Sequence, residues 1–335
     1  MFIQIQYFLV LVYSFYYPIR KTFDGNKNEI EVKDNFGEAL FENKYPFLVG
    51  LRIYGLRPLI NQSYHCAGAI ISRGWVVTPA HCLVYGNKRM GKRDVKVGVG
   101  NDFLLWQKEC TVKKIVFHPQ YTLGKEGGLS DGRYDLALIK IARNMDIEDE
   151  YTNTIKISLE SLEFEKKRVE IDDNFRRKEL VGWRSGSDKI EWYANPVAES
   201  QKVEILSTKE CKTLSNVYVS SNRDIVCSST RLKRITDNGY VKRRGNTCYT
   251  DSGGMLLGKS MDGGEYSLIG MVAFGETSSN GSRVSCLNGK NSFELGATYY
   301  TRLSYYTMWV SQVTQTRYGE LVDGLEESEV VFEVA

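Results

Sequence analysis

Three separated segments carry residue types that together could perform acyl transfer: VTPAHC at 77–82, YDLALIKI at 134–141 and CYTDSGG at 248–254. They present His81, Asp135 and Ser252, in that order. A serine hydroxyl is a poor nucleophile until a neighbouring neutral imidazole takes its proton. A carboxylate beside the imidazole fixes its tautomer and stabilises its charged form. Taken singly, each residue has an ordinary reading. AHC is a short string, DLALIKI is a strand with an acidic start, and Asp, Ser and Gly all favour turns. The joint order and the adjacent cysteines, Cys82 and Cys248, carry the catalytic reading. Nothing suggests zinc, because the chain has three histidines and no tight C-x-x-C pair. The chemistry needs no organic cofactor.

Such residues need a rigid frame. FLVGLRI at 47–53, CAGAIIS at 66–72, GWVVTPA at 74–80, VKVGVG at 95–100, VKKIVF at 112–117 and DLALIKI at 135–141 read as short strands. A second group starts near Leu180 and includes KVEIL, DIVCSS, GMLLG, SLIGMVAFG and TYYTRL. Short strands with polar or Gly-rich connections point to an antiparallel all-β body. Residues 17–45 are polar, with no clear strand before Phe47, and 146–178 form a charged connector with poor strand patterning. Near the end, Leu303, Tyr306, Trp309, Val310 and Val313 share one helical face, predicting a helix over 303–316. No internal repeat stands out.

The bulk numbers set limits. A chain of 335 residues with 42 % hydrophobic content can bury one large core or two packed barrels. The formal charge of +3 gives no basis for nucleic-acid binding. Six acids and no Lys or Arg lie in 319–335, leaving the remainder near +9 and making 317–335 an acidic tail. The opening MFIQIQYFLVLVYSFYY resembles a secretory signal, expected over 1–16, and is too short to favour a membrane span. A buried N-terminal element is the alternative. Seven cysteines fit an oxidising, extracellular compartment. Asn61 in NQS and Asn280 in NGS are glycosylation acceptors if exposed. No sequence signal defines an oligomeric state.

With its AHC, DLALIKI and DSGG segments, the chain resembles the chymotrypsin/trypsin-like serine peptidases over roughly 47–313. That resemblance implies two antiparallel β-barrels, over 46–145 and 179–302, followed by a C-terminal helix. It implies the pairs Cys66–Cys82, Cys211–Cys227 and Cys248–Cys286. Cys110 is left over, either buried or paired with another chain. Gly182-Trp183 matches a further family motif, although Arg184 replaces its usual next Gly.

Three departures bear on activity. The family forms its oxyanion hole from the N–H groups of the serine and of a Gly two positions earlier; here these are Ser252 and Thr250. A β-branched residue is strained where Gly would adopt positive φ, and losing one donor costs about 2.7–4 kcal/mol of transition-state stabilisation. Active relatives carry a new N-terminus, commonly Ile-Val-Gly-Gly, whose amine pairs with the Asp before the serine, here Asp251. The corresponding stretch before Pro46 reads Asp34-Asn35-Phe36-Gly37. At the pocket base stands Asn246, which lacks the carboxylate that binds a substrate Lys or Arg. The pocket walls would be Ala273-Phe274-Gly275 and Thr298, with Thr298 narrowing the space. The loop at 231–244 is strongly basic; it would recognise an acidic partner, or it is a solvated surface loop.

The expectation is a secreted serine endopeptidase acting on polypeptides, without strong basic specificity. The alternative is a weak or inactive protease homologue that binds proteins.

Overall fold

The computed structural model describes residues 21–23, 29–31, 38–39, 43–54, 64–122, 133–142, 152–160, 177–183, 198–214, 223–229, 253–261, 263–277 and 296–323. Lys21–Phe23 and Glu29–Glu31 pair antiparallel in a unit of their own. All that follows concerns the larger unit.

Its first barrel has six strands: β1 (Leu48–Ile53), β2 (Tyr64–Ser72), β3 (Trp75–Thr78), β4 (Val95–Val99), β5 (Lys108–Phe117) and β6 (Ala137–Ile141). They close antiparallel in the ring β1-β2-β3-β6-β5-β4. The second barrel uses β7 (Arg177–Gly182), β8 (Glu199–Ile205), β9 (Ile225–Ser229), β10 (Met255–Gly258), β11 (Ser267–Thr277) and β12 (Gly296–Arg302). Its ring is β7-β8-β9-β12-β11-β10, closed by the β10–β11 ladder. The strand order is the same in both, so the chain repeats an architecture without repeating a sequence. Closure leaves no open sheet edge in either ring.

Period-two patterning marks some strands, while β3 and β10 are short apolar runs buried at every residue. Along β4, Val95, Val97 and Val99 are buried, while Lys96 faces outward and is only partly covered. Gly74, at φ 74°, makes the tight turn from β2 to β3. One apolar core fills the first barrel and continues through the seam to Trp183, Met255, Met271, Leu303, Tyr306 and Val310. The second barrel has its own lumen, built from Leu180, Val203, Ile205, Val226, Leu256, Ile269, Val272 and Tyr300. Each fully buried Leu or Ile contributes about 1.5–3 kcal/mol.

Backbone pairing also makes strands where side-chain pattern gives no hint. Glu38–Ala39 pairs with β8, and Ile157–Ser158 runs parallel to β11 and to Val322–Asp323. Among the described residues the α-helices are α1 (Thr208–Leu214), α2 (Thr307–Thr314) and α3 (Tyr318–Leu321). The chain enters α2 through a 3-10 turn, Leu303–Tyr306, so the α-helix proper begins at Thr307. Leu303, Tyr306 and Val310 are buried, and Trp309 and Val313 pack partly buried against the same core. Gln315, at φ 57°, ends the helix in a left-handed cap.

Candidate active site

The positions of His81 and Asp135 follow from strand register. Ala137 on β6 lies opposite Thr78 on β3, so the residues just before β6 run back beside those just after β3. Pro79 ends β3, and the 3-10 turn Ala80–Leu83 lifts His81 out of the barrel wall. Thr78 donates its hydroxyl to the Ala67 carbonyl at 3.0 Å. The Cys66–Cys82 disulfide then ties this turn to β2.

Asp135 holds His81 at two points. The His81 backbone N–H donates to Asp135 Oδ1 at 2.8 Å, and Nδ1 lies 2.6 Å from Oδ2. An ionised carboxylate only accepts, so this contact places the imidazole proton on Nδ1. Asp135 is buried, with 2 % exposure, while the His81 side chain keeps 17 %. Cys82 Sγ lies 3.8 Å from Nε2 but is disulfide-bonded and has no proton to donate, so among the described residues nothing stops Nε2 from accepting a proton. The donor atoms of Cys66, His81 and Cys82 lie within 4.8 Å of one another, but both sulfurs are joined in the disulfide and offer no thiolate to a metal.

Gly253 and Gly254, from the DSGG segment, sit at the meeting of the barrels. Gly253 has φ 80°, and a Cβ there would stand 2.2 Å from the Ala67 carbonyl oxygen on β2. Its N–H reaches the Val272 carbonyl at 3.5 Å, while the Val272 N–H donates to the Gly254 carbonyl at 2.9 Å. A Cβ on Gly182 would lie 3.1 Å from Gly254 Cα, so β7 also presses on this pair. The segment can thread between β2, β7 and β11 only because it carries glycine.

Asn246, Cys248, Thr250, Asp251, Ser252 and Cys286 lie outside the described residues, as do 1–16, Asp34–Gly37, Asn61, Asn280 and the 231–244 loop. The expected pocket walls are described. Gly275 pairs directly with Thr298, and Phe274 with Tyr299. The ladder slips between Val272 and Phe274, which leaves Ala273 at a β-bulge. Thr298 is fully buried, and the Phe274 ring stacks on Tyr299 with centroids 4.6 Å apart. The Tyr299 hydroxyl donates to the Cys211 carbonyl, beside the Cys211–Cys227 disulfide. Cys110 is free and half-buried on β5.

Some supporting contacts carry no mark in the sequence. Thr301 donates its hydroxyl to the Asp135 carbonyl at 3.3 Å, and the Tyr306 hydroxyl accepts the Tyr134 N–H at 3.1 Å. Of these, only Tyr306 had a sequence signal, its place on the apolar helical face. Asp102 makes others. Its carboxylate accepts the Lys44 N–H at 3.2 Å, and its carbonyl accepts Trp183 Nε1–H and the Ala198 N–H, so it joins both barrels. Burial pushes its carboxyl up to about 6.

Residues 35–310 match the family model described as Trypsin. The chain belongs to the trypsin family of serine proteases. It is 25 % identical to the clotting factor G beta subunit of Tachypleus tridentatus, over 87 % of this chain and 81 % of that protein. A tryptase of Mus musculus is 24 % identical, over 82 % of this chain and 86 % of its own length. Kallikrein-10 of Homo sapiens is 25 % identical, over 76 % and 75 %. The paired barrels and C-terminal helix are those of the chymotrypsin fold. Among the described residues no helix is long and apolar enough to cross a membrane.

Proposed function

We propose that this protein is a secreted serine endopeptidase in which Ser252, His81 and Asp135 act as nucleophile, base and orienting acid. The observation that carries the reading is the two-point hold of Asp135 on His81, which leaves Nε2 free to take a proton. Ser252 directly precedes Gly253, whose backbone is seated against β2, the strand that Cys66–Cys82 ties to the His81 turn. Ser252 Oγ attacks the peptide carbonyl as Nε2 takes its proton. His81 then protonates the leaving amine, and the acyl-enzyme is hydrolysed by water that His81 activates. The N–H groups of Thr250 and Ser252 would stabilise the tetrahedral oxyanion, with Asp251 supporting that loop from within and Cys248–Cys286 bracing it.

Substrate preference follows from the pocket assignment. Asn246 supplies no charge for Lys or Arg, and Thr298 facing Gly275 narrows the space beside Ala273 and Phe274. Small or uncharged side chains fit this arrangement best. Secretion is supported by the apolar start of the chain, read as a signal over 1–16, and by two disulfides. The division into 46–145, 146–178, 179–302, 303–316 and 317–335, and an acidic partner for the 231–244 loop, belong to the same proposal.

One observation favours a second reading, a protein-binding homologue with little activity: the fully buried Thr298 lies directly across the ladder from Gly275. Cleavage of a peptide library by the secreted protein and by Ser252→Ala separates the two. Cleavage after small or uncharged residues, lost in the alanine form, is expected. A folded, correctly processed protein that cleaves nothing supports the homologue.

A further inference from the structure

Asp135 belongs to the first barrel, yet its backbone is gripped from the second. Thr301, fully buried on β12, donates its hydroxyl to the Asp135 carbonyl. Tyr306, from the turn before α2, offers its hydroxyl oxygen to the N–H of the preceding residue, Tyr134. These two contacts bracket Tyr134–Asp135.

The bracketed backbone is strained. Tyr134 has φ 56°, a left-handed conformation that bulky residues rarely adopt and that persists only where neighbours over-determine it. Those neighbours are visible. The Tyr134 carbonyl accepts the Leu136 N–H at 2.7 Å, closing a tight turn, and the Leu136 carbonyl accepts the His118 N–H at 2.9 Å. The Tyr134 ring lies nearly parallel to His118, at 5.0 Å and 17°. Tyr306 meets His118 edge-on at 5.3 Å, and Trp309 closes on it at 4.8 Å.

Buried aromatic rings need no special purpose. Two features go beyond packing. Both hydroxyls are aimed at backbone atoms that flank a single residue, Asp135. And among the described residues, His81 alone hydrogen-bonds the Asp135 carboxylate, so that the direction of the carboxylate is set through its own backbone. Tyr121, whose phenol burial holds above its ordinary range, is a further titratable neighbour of Asp135.

We infer that Tyr306 and Thr301 are positioning residues, fixing the Tyr134–Asp135 backbone so that the carboxylate meets both the His81 N–H and Nδ1. The inference rests on the Ser252–His81–Asp135 reading. It gives the second barrel, which carries the nucleophile segment, control over the orientation of the first barrel's acid.

The test uses Tyr306→Phe and Thr301→Val in the full, processed chain, with Thr301→Ser as the variant that keeps a hydroxyl. Peptide kcat should fall about 10- to 100-fold in the first two, the scale of a small misplacement, while KM stays within about twofold. Thr301→Ser should retain most of the rate. Tyr134→Gly tolerates positive φ, so adding it to Tyr306→Phe should restore part of the loss. The His81 imidazole pKa, followed by NMR in the Ser252→Ala background, should drop in Tyr306→Phe and Thr301→Val because the carboxylate supports the imidazolium less well. This NMR arm needs no turnover. If wild type cleaves nothing but the imidazole shift appears, the catalytic reading fails and the positioning role stands. Variants that lose only thermal stability, with kcat and the imidazole pKa unchanged, would overturn the inference.

Discussion

The two barrels share one strand order and divide the work unequally. The first carries His81 and Asp135 on elements of its own, the β3–β6 register, the turn bearing His81 and the Cys66–Cys82 bridge, while Thr301 and Tyr306 reach across to the Tyr134–Asp135 backbone. The second seats Gly253 against its neighbour's β2, with Gly254 backed by Gly182 of its own β7, and this pair directly follows the proposed nucleophile Ser252. Buried hydroxyls meet inside the second barrel, with those of Ser228 and Tyr300 2.8 Å apart. On the proposed triad, a repeated scaffold acquires a composite site: one copy takes the proton transfer, the other presents the nucleophile's backbone, and the seam between them is part of the chemistry.

The most severe way to break this comparison is Asp135→Asn. An amide cannot hold the imidazole in the Nδ1–H tautomer, and kcat for peptide hydrolysis should fall on the order of 10⁴-fold, as it does in other triads. Gly253→Ala attacks the other side. Its Cβ meets a carbonyl oxygen at 2.2 Å in a positive-φ backbone, so urea unfolding should show a loss of about 3–4 kcal/mol. Gly86→Ala is the control; φ is positive there too, at 56°, but nothing lies within 4 Å, and about 1 kcal/mol is expected.

The disulfides sharpen the contrast. Cys66–Cys82 and Cys211–Cys227 both span a sequence separation of 16, so removing either pair should cost a similar ~3 kcal/mol. Only the first borders His81; its loss alone should also lower kcat, about tenfold. Equal kinetic effects would mean that the barrels share the positioning of the base.

The smallest effect concerns the seam. The buried Asp102 carboxyl is raised from an ordinary 3.8 to about 6, so the folded protein holds this proton more tightly than the unfolded chain. Its contribution is therefore fully present below pH 4 and lost as pH rises through 6. Asp102→Asn should flatten that part of the stability–pH curve, by about 1–2 kcal/mol after solvent screening. An unchanged slope would show that water reaches the carboxylate.

Much of the architecture is legible in the sequence because strands such as β4 alternate, and because β3 and β6, which border His81 and Asp135, are short apolar runs buried almost throughout. The legible part stops where the pattern is not one of side chains. Glu38–Ala39 and Ile157–Ser158 are strands by backbone pairing alone. The shared ring order is a pattern of hydrogen bonds, invisible as sequence similarity. Thr298 to Thr301 are all fully buried, so no alternation fixed their register against β11. The left-handed Tyr134 obeys its neighbours rather than its own preference. The two hydroxyls beside it are therefore found only in three dimensions.

The most direct test of the composite site is fluorophosphonate labelling of the protein before and after limited proteolysis, beside Ser252→Ala and His81→Ala. Covalent labelling that disappears in both variants is the expected result, and its dependence on proteolysis would show whether a new N-terminus is needed. A folded protein that stays unlabelled in every state, or that labels equally well without His81, would contradict the account.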